Sequence, residues 1–285
     1  MIGGLLRYLL RFPHQRGKGP EITREIMATF SAGFACGVRL RASVQSLPWH
    51  QRSFFCEGHA MGQAARLAFK GRALCPDEGD AFTAARFIGY GFWNGVASRY
   101  RLPAVTVDAA RSSPWQKSSR IGNAGETACA TIANQQSAAQ VGQAFSLPGL
   151  LPRAASPLLV DGASYGRILS RRRFDAGELA RIRAIANEED REAALHGAGR
   201  VLWLLYMYNY PALRVQLEAC GPDREPVERG VGFAIGFIRA RDAREIPAML
   251  AEFGPAAARG AGIALALHTV QDAESCRAVT AQLQG

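Results

Sequence analysis

A Gly-x-small motif that recurs along the chain limits the possible folds more than any other feature of the sequence. Each copy begins a stretch of apolar residues, and the leading glycines lie 31, 73, 35, 33 and 30 residues apart. The interval of 73 corresponds to two periods, one of which is interrupted. The leading glycines are Gly58, Gly89, Gly162, Gly197, Gly230 and Gly260. A period of this length is typical of repeat proteins, in which each repeat packs against its neighbours.

A second segment alternates with the glycine motif and indicates what each period contains. Leu213–Cys220 has helical apolar periodicity and ends at Gly221-Pro222, and Ile246–Phe253 ends at Gly254-Pro255, 33 residues later. Glycine is favoured at a helix C-terminus, and proline is tolerated in a first turn. Each period is therefore expected to be helix, tight turn, helix. We predict an all-α fold of repeated helical hairpins, an α-solenoid-like array with a period of about 30–36 residues.

Glycine inside a helix needs an explanation, because it costs about 1 kcal/mol relative to alanine. Five pairs of glycines are four residues apart, and residues at this spacing share one helix face. A face without side chains lets a neighbouring helix approach closely and gain contacts. The alternative is that the glycines are flexible helix starts. The pairs are Gly33 and Gly37, Gly58 and Gly62, Gly91 and Gly95, Gly162 and Gly166, and Gly232 and Gly236.

The middle of the chain departs from this pattern and suggests a division into three parts. Residues 103–156 are rich in Ser, Ala, Gln and Asn, with turn formers near each end, and only Glu126–Val141 resembles a helix. We expect a low-order insertion or linker there, with a packed lid over a pocket as the alternative. N-terminal helical hairpins would occupy residues 1–102. C-terminal hairpins would occupy residues 157–285 and pack on the first half.

Composition and charge exclude several classes of protein. The apolar runs Val201–Tyr208 and Gly230–Ile238 are far shorter than a membrane span requires. Met1–Phe12 contains arginines and is not followed by a cleavage site, so no signal peptide is expected. The six cysteines form no CxxC motif, which favours reduced thiols in a cytoplasmic protein. The net charge of +10 comes without a nucleic-acid-binding motif, so nucleic acid is not an expected partner.

Several sequence blocks resemble those of a bacterial family of enediyne biosynthesis proteins, which is encoded in enediyne polyketide gene clusters and has no established function. The resemblance covers most of the chain outside 103–156. It is carried by Met27–Gly33, Arg52–Met61, Gly89–Trp93, Asp161-Gly162, Gly197–Trp203 and Gly230–Ala234. The resemblance implies a place in polyketide biosynthesis but no catalytic role. Gly166 stands where the family has histidine, Ala163 where it has an aromatic residue, and His59 where it has alanine.

Two carboxylates are the first candidates for chemistry. Glu57 and Asp161 each directly precede a motif glycine, at a position occupied elsewhere by His196, Arg229 and Arg259. Side chains at equivalent places in successive repeats would line one edge of the array, where two carboxylates could act as acid and base. The alternative is a structural role, in which each carboxylate pairs with an arginine of a neighbouring repeat, such as Arg52, Arg200 or Arg229, or caps a helix. We favour the structural role.

Other candidate side chains have weaker support. His59, His196 and His268 could bind a metal together with Glu57, but no HxxxH or HxxE spacing occurs, so no metal and no cofactor are predicted. Cys56 beside Glu57 would be a poor nucleophile–base pair, because adjacent helix positions point apart. The run Arg171-Arg172-Arg173 is interpreted as a solvated helix end.

The leading functional prediction is a non-catalytic binding or scaffold protein in enediyne-type polyketide biosynthesis. It would hold a hydrophobic polyene or the acidic carrier protein that bears it, and the chain's positive charge suits such a carrier protein. Trp93, Trp203 and Phe233 would line an apolar groove for the ligand, although their spacing favours the core. Two alternatives stay open. One is an enzyme that modifies the polyene through Glu57 and Asp161, and the other is a peripheral membrane adaptor anchored by residues 1–18.

Overall fold

The computed structural model describes residues 12–39, 46–74, 82–105, 151–271 and 273–284, and every regular element in these ranges is helical. The all-α prediction is therefore confirmed for this part of the chain. The α-helices are α1 (Gly19–Arg39), α2 (Trp49–Phe69), α3 (Thr83–Tyr100), α4 (Leu151–Arg171), α5 (Ala176–Arg183), α6 (Glu188–Tyr206), α7 (Tyr210–Ala219), α8 (Arg224–Arg239), α9 (Ile246–Leu250), α10 (Pro255–Gln271) and α11 (Ala273–Gln284). Two 3₁₀ helices, Gly221–Asp223 and Ala240–Glu245, flank α8.

Local sequence signals explain several helix boundaries. The Asp175 side chain accepts a hydrogen bond from the backbone N–H of Glu178 and caps α5, and Asn187 caps α6 in the same way. Pro211 lies in the first turn of α7, as expected. Gly221 follows α7 with φ of +58°, a conformation that favours glycine. These residues separate the short helices α5 and α7 from the long ones.

The long helices contact one another in chain order, from α1 through α2, α3, α4, α6 and α8 to α10. Glycine lies at each of these contacts. A β-carbon at Gly33 would collide with the carbonyl oxygen of Phe55, and one at Gly37 with that of His59. From the first contact to the second, the residue number rises by four in both helices, so α1 and α2 run parallel. The same advance is seen between α3 and α4 and between α8 and α10. All five predicted glycine pairs lie against backbone of a neighbouring helix, which confirms the close-contact prediction.

The Gly-x-Gly form of the motif serves both neighbours of a helix. The leading glycine of each motif contacts the preceding long helix. The residue it contacts there is the one that directly precedes the leading glycine of that helix's motif. Gly89 lies against Glu57, Gly162 against Ile88, Gly197 against Asp161, Gly230 against His196, and Gly260 against Arg229. The glycine two positions later meets the following helix instead. Gly91 lies against Leu159, Gly199 against Val227, and Gly232 against Ala257. Residues two apart point to roughly opposite sides of a helix, so one motif removes side chains from both contacts.

The C-terminal helices also pack against the N-terminal part of the chain. The Phe54 ring lies 5.0 Å from that of Phe237, and the Ser53 hydroxyl donates a 2.6 Å hydrogen bond to Gln271. A separate apolar cluster forms at this junction from Phe54, Phe233, Phe237, Ala264 and Leu267. The two predicted halves therefore share buried side chains.

The arginine run at the end of α4 is not simply solvated, and this interpretation is corrected. Arg171 donates a 3.1 Å hydrogen bond to Glu178, whose side chain is fully buried, and Arg172 lies over the Phe12 ring. Only Arg173 is mainly exposed. A carboxylate seven residues downstream thus draws Arg171 inward, because burying Glu178 without cations would be costly.

Two further expectations are tested only in part. Residues 103–105 are described and pack on α3, with Val105 bonded in both directions to the Asn94 side chain, and α4 begins at Leu151. Residues 106–150, including Glu126–Val141, lie outside the described residues. Within the described ranges, no helix is long and apolar enough to cross a membrane.

Candidate functional site

Three long helices bring the predicted carboxylates onto one arginine. Glu57 comes from α2, Asp161 from α4 and Arg200 from α6. Each of the three is adjacent in sequence to a glycine that contacts the backbone of a neighbouring helix. We call Glu57, Asp161, His196 and Arg200 the central cluster.

Arg200 joins both carboxylates. Its Nη1 donates to Asp161 Oδ1 at 2.5 Å, and its Nη2 donates to Glu57 Oε1 at 3.1 Å. His196 donates from Nδ1 to the other oxygen of Asp161 at 2.6 Å. Of the three arginines proposed as structural partners, Arg52 and Arg229 pair instead with glutamates elsewhere. The predicted pairing of carboxylate with arginine is therefore found, and Arg200 makes it for both.

The cluster lies in the interior of the protein. The side chains of Glu57, Asp161 and Arg200 are only 5–6% exposed. Aromatic rings flank the guanidinium, since Tyr165 lies 5.0 Å and Phe233 5.3 Å from it. Cation–π contacts of this kind compensate part of the lost hydration of a buried cation. His196 is the most exposed member at 20%, and its ring packs edge-on against Phe233.

The two carboxyls have different proton affinities. Burial raises the pKa of Glu57 to about 7, and the nearby charge of Asp161 adds to this, while Arg200 opposes it. Burial would also raise the pKa of Asp161, but Arg200 and the bond from His196 hold it below its ordinary value. The two carboxylates in turn raise the pKa of Arg200 although burial opposes this. At neutral pH the cluster therefore contains one firm ion pair, Asp161 with Arg200, and one carboxyl that exchanges a proton.

This arrangement limits what the cluster can do. Arg200 binds one oxygen of each carboxylate, and all three side chains are buried, so a substrate could reach them only if the surrounding side chains moved. Among the described residues, no group of three or more His, Cys, Asp or Glu side chains is arranged to hold a metal ion. The geometry is that of an internal ion network, in which each charge offsets part of the cost of burying the others.

The remaining predicted residues lie apart from the cluster. His59 is on α2, stacked on Phe55 with the ring centres 6.3 Å apart. His268 is fully buried between Phe237 and Trp49, and its Nε2 lies 3.1 Å from the Phe237 carbonyl. Cys56 is buried in α2. The three histidines therefore form no metal-binding group among the described residues, and His196 bonds to Asp161.

The three proposed ligand-wall aromatics are all interior residues. Trp93, Trp203 and Phe233 are at most 6% exposed. Trp93 donates from its indole nitrogen to the Pro103 carbonyl at 3.1 Å, and Phe233 covers Arg200. A narrow cleft between α1, α2 and the end of α8 is lined by other residues, among them Ile22, His50 and Arg239.

Sequence reasoning missed two contributors to this interior. Tyr165 covers Arg200 and lies four residues after Asp161, on the same face of α4, and that spacing was the available signal. Glu178 binds Arg167 at 2.5 Å and Arg171 at 3.1 Å while fully buried. No spacing rule distinguishes it from a surface glutamate, because its burial depends on how α5 packs.

The chain has no counterpart in the comparisons with known proteins: no family model, no curated protein and no solved structure matches it.

Proposed function

We propose that this protein is a non-catalytic binding or scaffold protein of enediyne-type polyketide biosynthesis, which holds a hydrophobic polyene or the acidic carrier protein bearing it. One observation supports the non-catalytic part. The two carboxylates best placed for acid–base chemistry are buried and bonded to the same arginine. Carboxylates that are already paired with a buried arginine suit a role in supporting the fold rather than in contacting a substrate.

The glycine contacts support the scaffold part. We propose that the long helices form one repeat array, in which each period supplies a helix, and the intervening short helices or loops return the chain to the next. The support is the constant register of the leading glycines against the preceding helix. Arrays of this kind present extended surfaces to partners.

An enzymatic role is the second candidate, and it has a specific observation in its favour. Burial raises the pKa of Glu57 to about 7, where a carboxyl can both give and take a proton near neutral pH. For this role Arg200 would have to move when substrate binds.

Two substitutions distinguish these functions. Asp161→Asn should lower the melting temperature clearly, because Arg200 loses its firm ionic partner, and breaking a buried pair costs roughly 3–5 kcal/mol. Glu57→Gln should cost less, because Gln retains an acceptor oxygen for Arg200 and resembles the protonated carboxyl. Glu252→Gln is the matched control, since its pair with Arg214 is exposed and contributes little.

The readouts are the melting temperature and the amount of pathway product in a strain that carries each variant. We expect product to follow the amount of folded protein in every variant. A Glu57→Gln protein that melts like the wild type, still carries the same co-purifying small molecules by mass spectrometry, and yields no product would establish the enzymatic role instead.

A further inference from the structure

The C-terminal ends of α1, α2 and α3 lie side by side at one end of the molecule. The parallel contact between α1 and α2 continues to their last turns, where Arg66 Nη1 donates to the Val38 carbonyl at 3.1 Å. The end of α2 also contacts the segment that follows α3, since the Phe69 ring lies 5.9 Å from that of Trp93, whose indole nitrogen donates to the Pro103 carbonyl at 3.1 Å. Three helix termini thus form a common surface, which we call the end face.

Five exposed cations lie at the three helix ends of the end face. They are Arg39, Lys70, Arg72, Arg99 and Arg101. None of them pairs with a described carboxylate, and residues 26–39, 58–74 and 82–105 contain no Asp or Glu. Helix C-termini attract cations, but three ends carry only about −1.5 elementary charges together. The cations therefore exceed what the helix ends can neutralise.

The surplus of positive charge remains when the charged residues of the adjoining sequence are counted. The link between α2 and α3 contains Asp77, Glu78 and Asp80, yet residues 26–105 as a whole hold nine Lys and Arg against four Asp and Glu. This difference of five is half of the chain's net charge of +10.

Two aromatic side chains project among these cations. Phe69 is 62% exposed and Tyr100 is 40% exposed, and they are the largest exposed apolar side chains in the described residues. Arg99 lies over the Tyr100 ring, 5.9 Å from its centre. Both aromatics occupy the last turn of their helices, so they project from the same end as the charges.

We propose that the end face docks on an anionic lipid bilayer, with Phe69 and Tyr100 at the headgroup level and the surrounding cations on lipid phosphates. Aromatic rings bordered by Lys and Arg suit the membrane interface, and each cation near an anionic surface changes partitioning about fivefold. An acidic protein is a poorer fit at this surface, because a stable protein interface needs a wide, well-packed centre, and Phe69 and Tyr100 are the only exposed large apolar side chains among the described residues of the end face. This concerns where the protein resides, and it goes beyond the proposed function.

The described part of the anchor suggested by residues 1–18 lies elsewhere. Phe12 and Gln15 are buried, and Gln15 donates to the Leu204 carbonyl at 2.6 Å, so residues 12–18 are held against the core. The end face provides a membrane contact that does not require them.

Co-sedimentation of the full chain with vesicles tests the proposal. Vesicles of 70% phosphatidylcholine and 30% phosphatidylglycerol should bind the wild-type protein, and pure phosphatidylcholine should not. Lys70→Gln/Arg72→Gln/Arg99→Gln should weaken binding roughly tenfold to a hundredfold. The matched control is Arg24→Gln/Arg181→Gln/Arg277→Gln, which removes the same charge from exposed positions elsewhere. It should bind within about twofold of the wild type, and circular dichroism should confirm that both variants are folded.

A second pair of variants tests the aromatic contribution. Phe69→Gln should weaken vesicle binding about tenfold at high salt, where charge is screened. Val215→Gln, at another exposed apolar position, should have no effect. Equal losses in the two charge variants, or failure of the wild type to bind anionic vesicles, would overturn the proposal. Unchanged vesicle binding by Phe69→Gln, together with equally tight binding of soluble polyglutamate, would indicate an acidic protein partner instead.

Discussion

At the scale of single residues, the central cluster shows how two carboxylates in similar places acquire different properties. Glu57 and Asp161 both precede motif glycines, and both accept a hydrogen bond from Arg200. Asp161 also accepts a hydrogen bond from His196. A carboxylate that accepts two charge-assisted hydrogen bonds keeps a low pKa, whereas burial controls the pKa of a carboxylate that accepts a single, longer bond. Thus their order of proton affinity follows from the number of donors rather than from position in the repeat.

The raised pKa of Glu57 predicts a pH dependence of stability. The folded protein keeps this proton up to about pH 7, whereas the unfolded chain releases it near its ordinary value of 4.5. Because the folded state binds more protons between these values, the free energy of unfolding should fall as pH rises through this window. The loss should be on the order of 1–3 kcal/mol. Asp161, with a lowered pKa, loses its contribution only in stronger acid.

Chemical unfolding of the wild type and Glu57→Gln at pH 5 and pH 8 measures this effect. The wild type should be the relatively more stable protein at pH 5 and should lose that advantage at pH 8. Titrations common to both proteins cancel in the difference. A difference that is constant with pH would mean that Glu57 does not titrate in this range.

At the scale of helices, glycine determines how closely neighbours approach. The cost of glycine within a helix is about 1 kcal/mol relative to alanine, and close backbone packing offsets it only where another helix is present. Gly260 and Gly262 in α10 show the difference. Gly260 lies against the Arg229 carbonyl of α8, whereas nothing approaches Gly262 within 4 Å. Gly262 stands at the motif position that would meet a following long helix.

Alanine substitutions at these two positions should have opposite effects. Gly260→Ala should destabilise the protein by about 1–3 kcal/mol, because the new methyl group collides with rigid backbone. Gly262→Ala should stabilise it by up to about 1 kcal/mol, because alanine is the better helix former and meets no neighbour. Thermal unfolding of both variants measures the changes. Equal effects would show that the glycines do not mark close helix contacts.

At the scale of the whole molecule, the junction between α2 and the C-terminal helices α8 and α10 connects the two ends of the chain. Phe54 from α2 and Leu267 from α10 belong to one apolar cluster although more than two hundred residues separate them. A shared core of this kind couples the unfolding of both parts, because neither can expose its side of the cluster without the other losing contacts.

We therefore expect a single thermal transition. Phe54→Ala and Leu267→Ala should each lower it, at a cost of about 2–5 kcal/mol. Val270→Ala, at a half-exposed position of α10, should change it by less than about 0.5 kcal/mol. Calorimetry checks this expectation, and two separate transitions, each sensitive to only one of the core variants, would contradict it.

The sequence by itself determined the helical class and the close glycine contacts. Spacings of four along a helix define a face regardless of what lies opposite, so Gly58 and Gly62 could be assigned to a contact without knowing the neighbour. The sequence also selected Glu57 and Asp161, because each directly precedes a motif glycine at equivalent places in the repeat.

Only the tertiary structure decided which partner and which surface these residues have. Arg52, Arg200 and Arg229 were equal candidates, and the choice of Arg200 depends on contacts across 143 and 39 residues that no local spacing encodes. The burial of Glu178, the shared core of Phe54 and Phe237, and the gathering of cations on the end face have the same origin. The shared core and the end face depend on how whole helices pack, and the burial of Glu178 depends on how α5 packs against α4, whereas local patterns specify only the face that a helix presents.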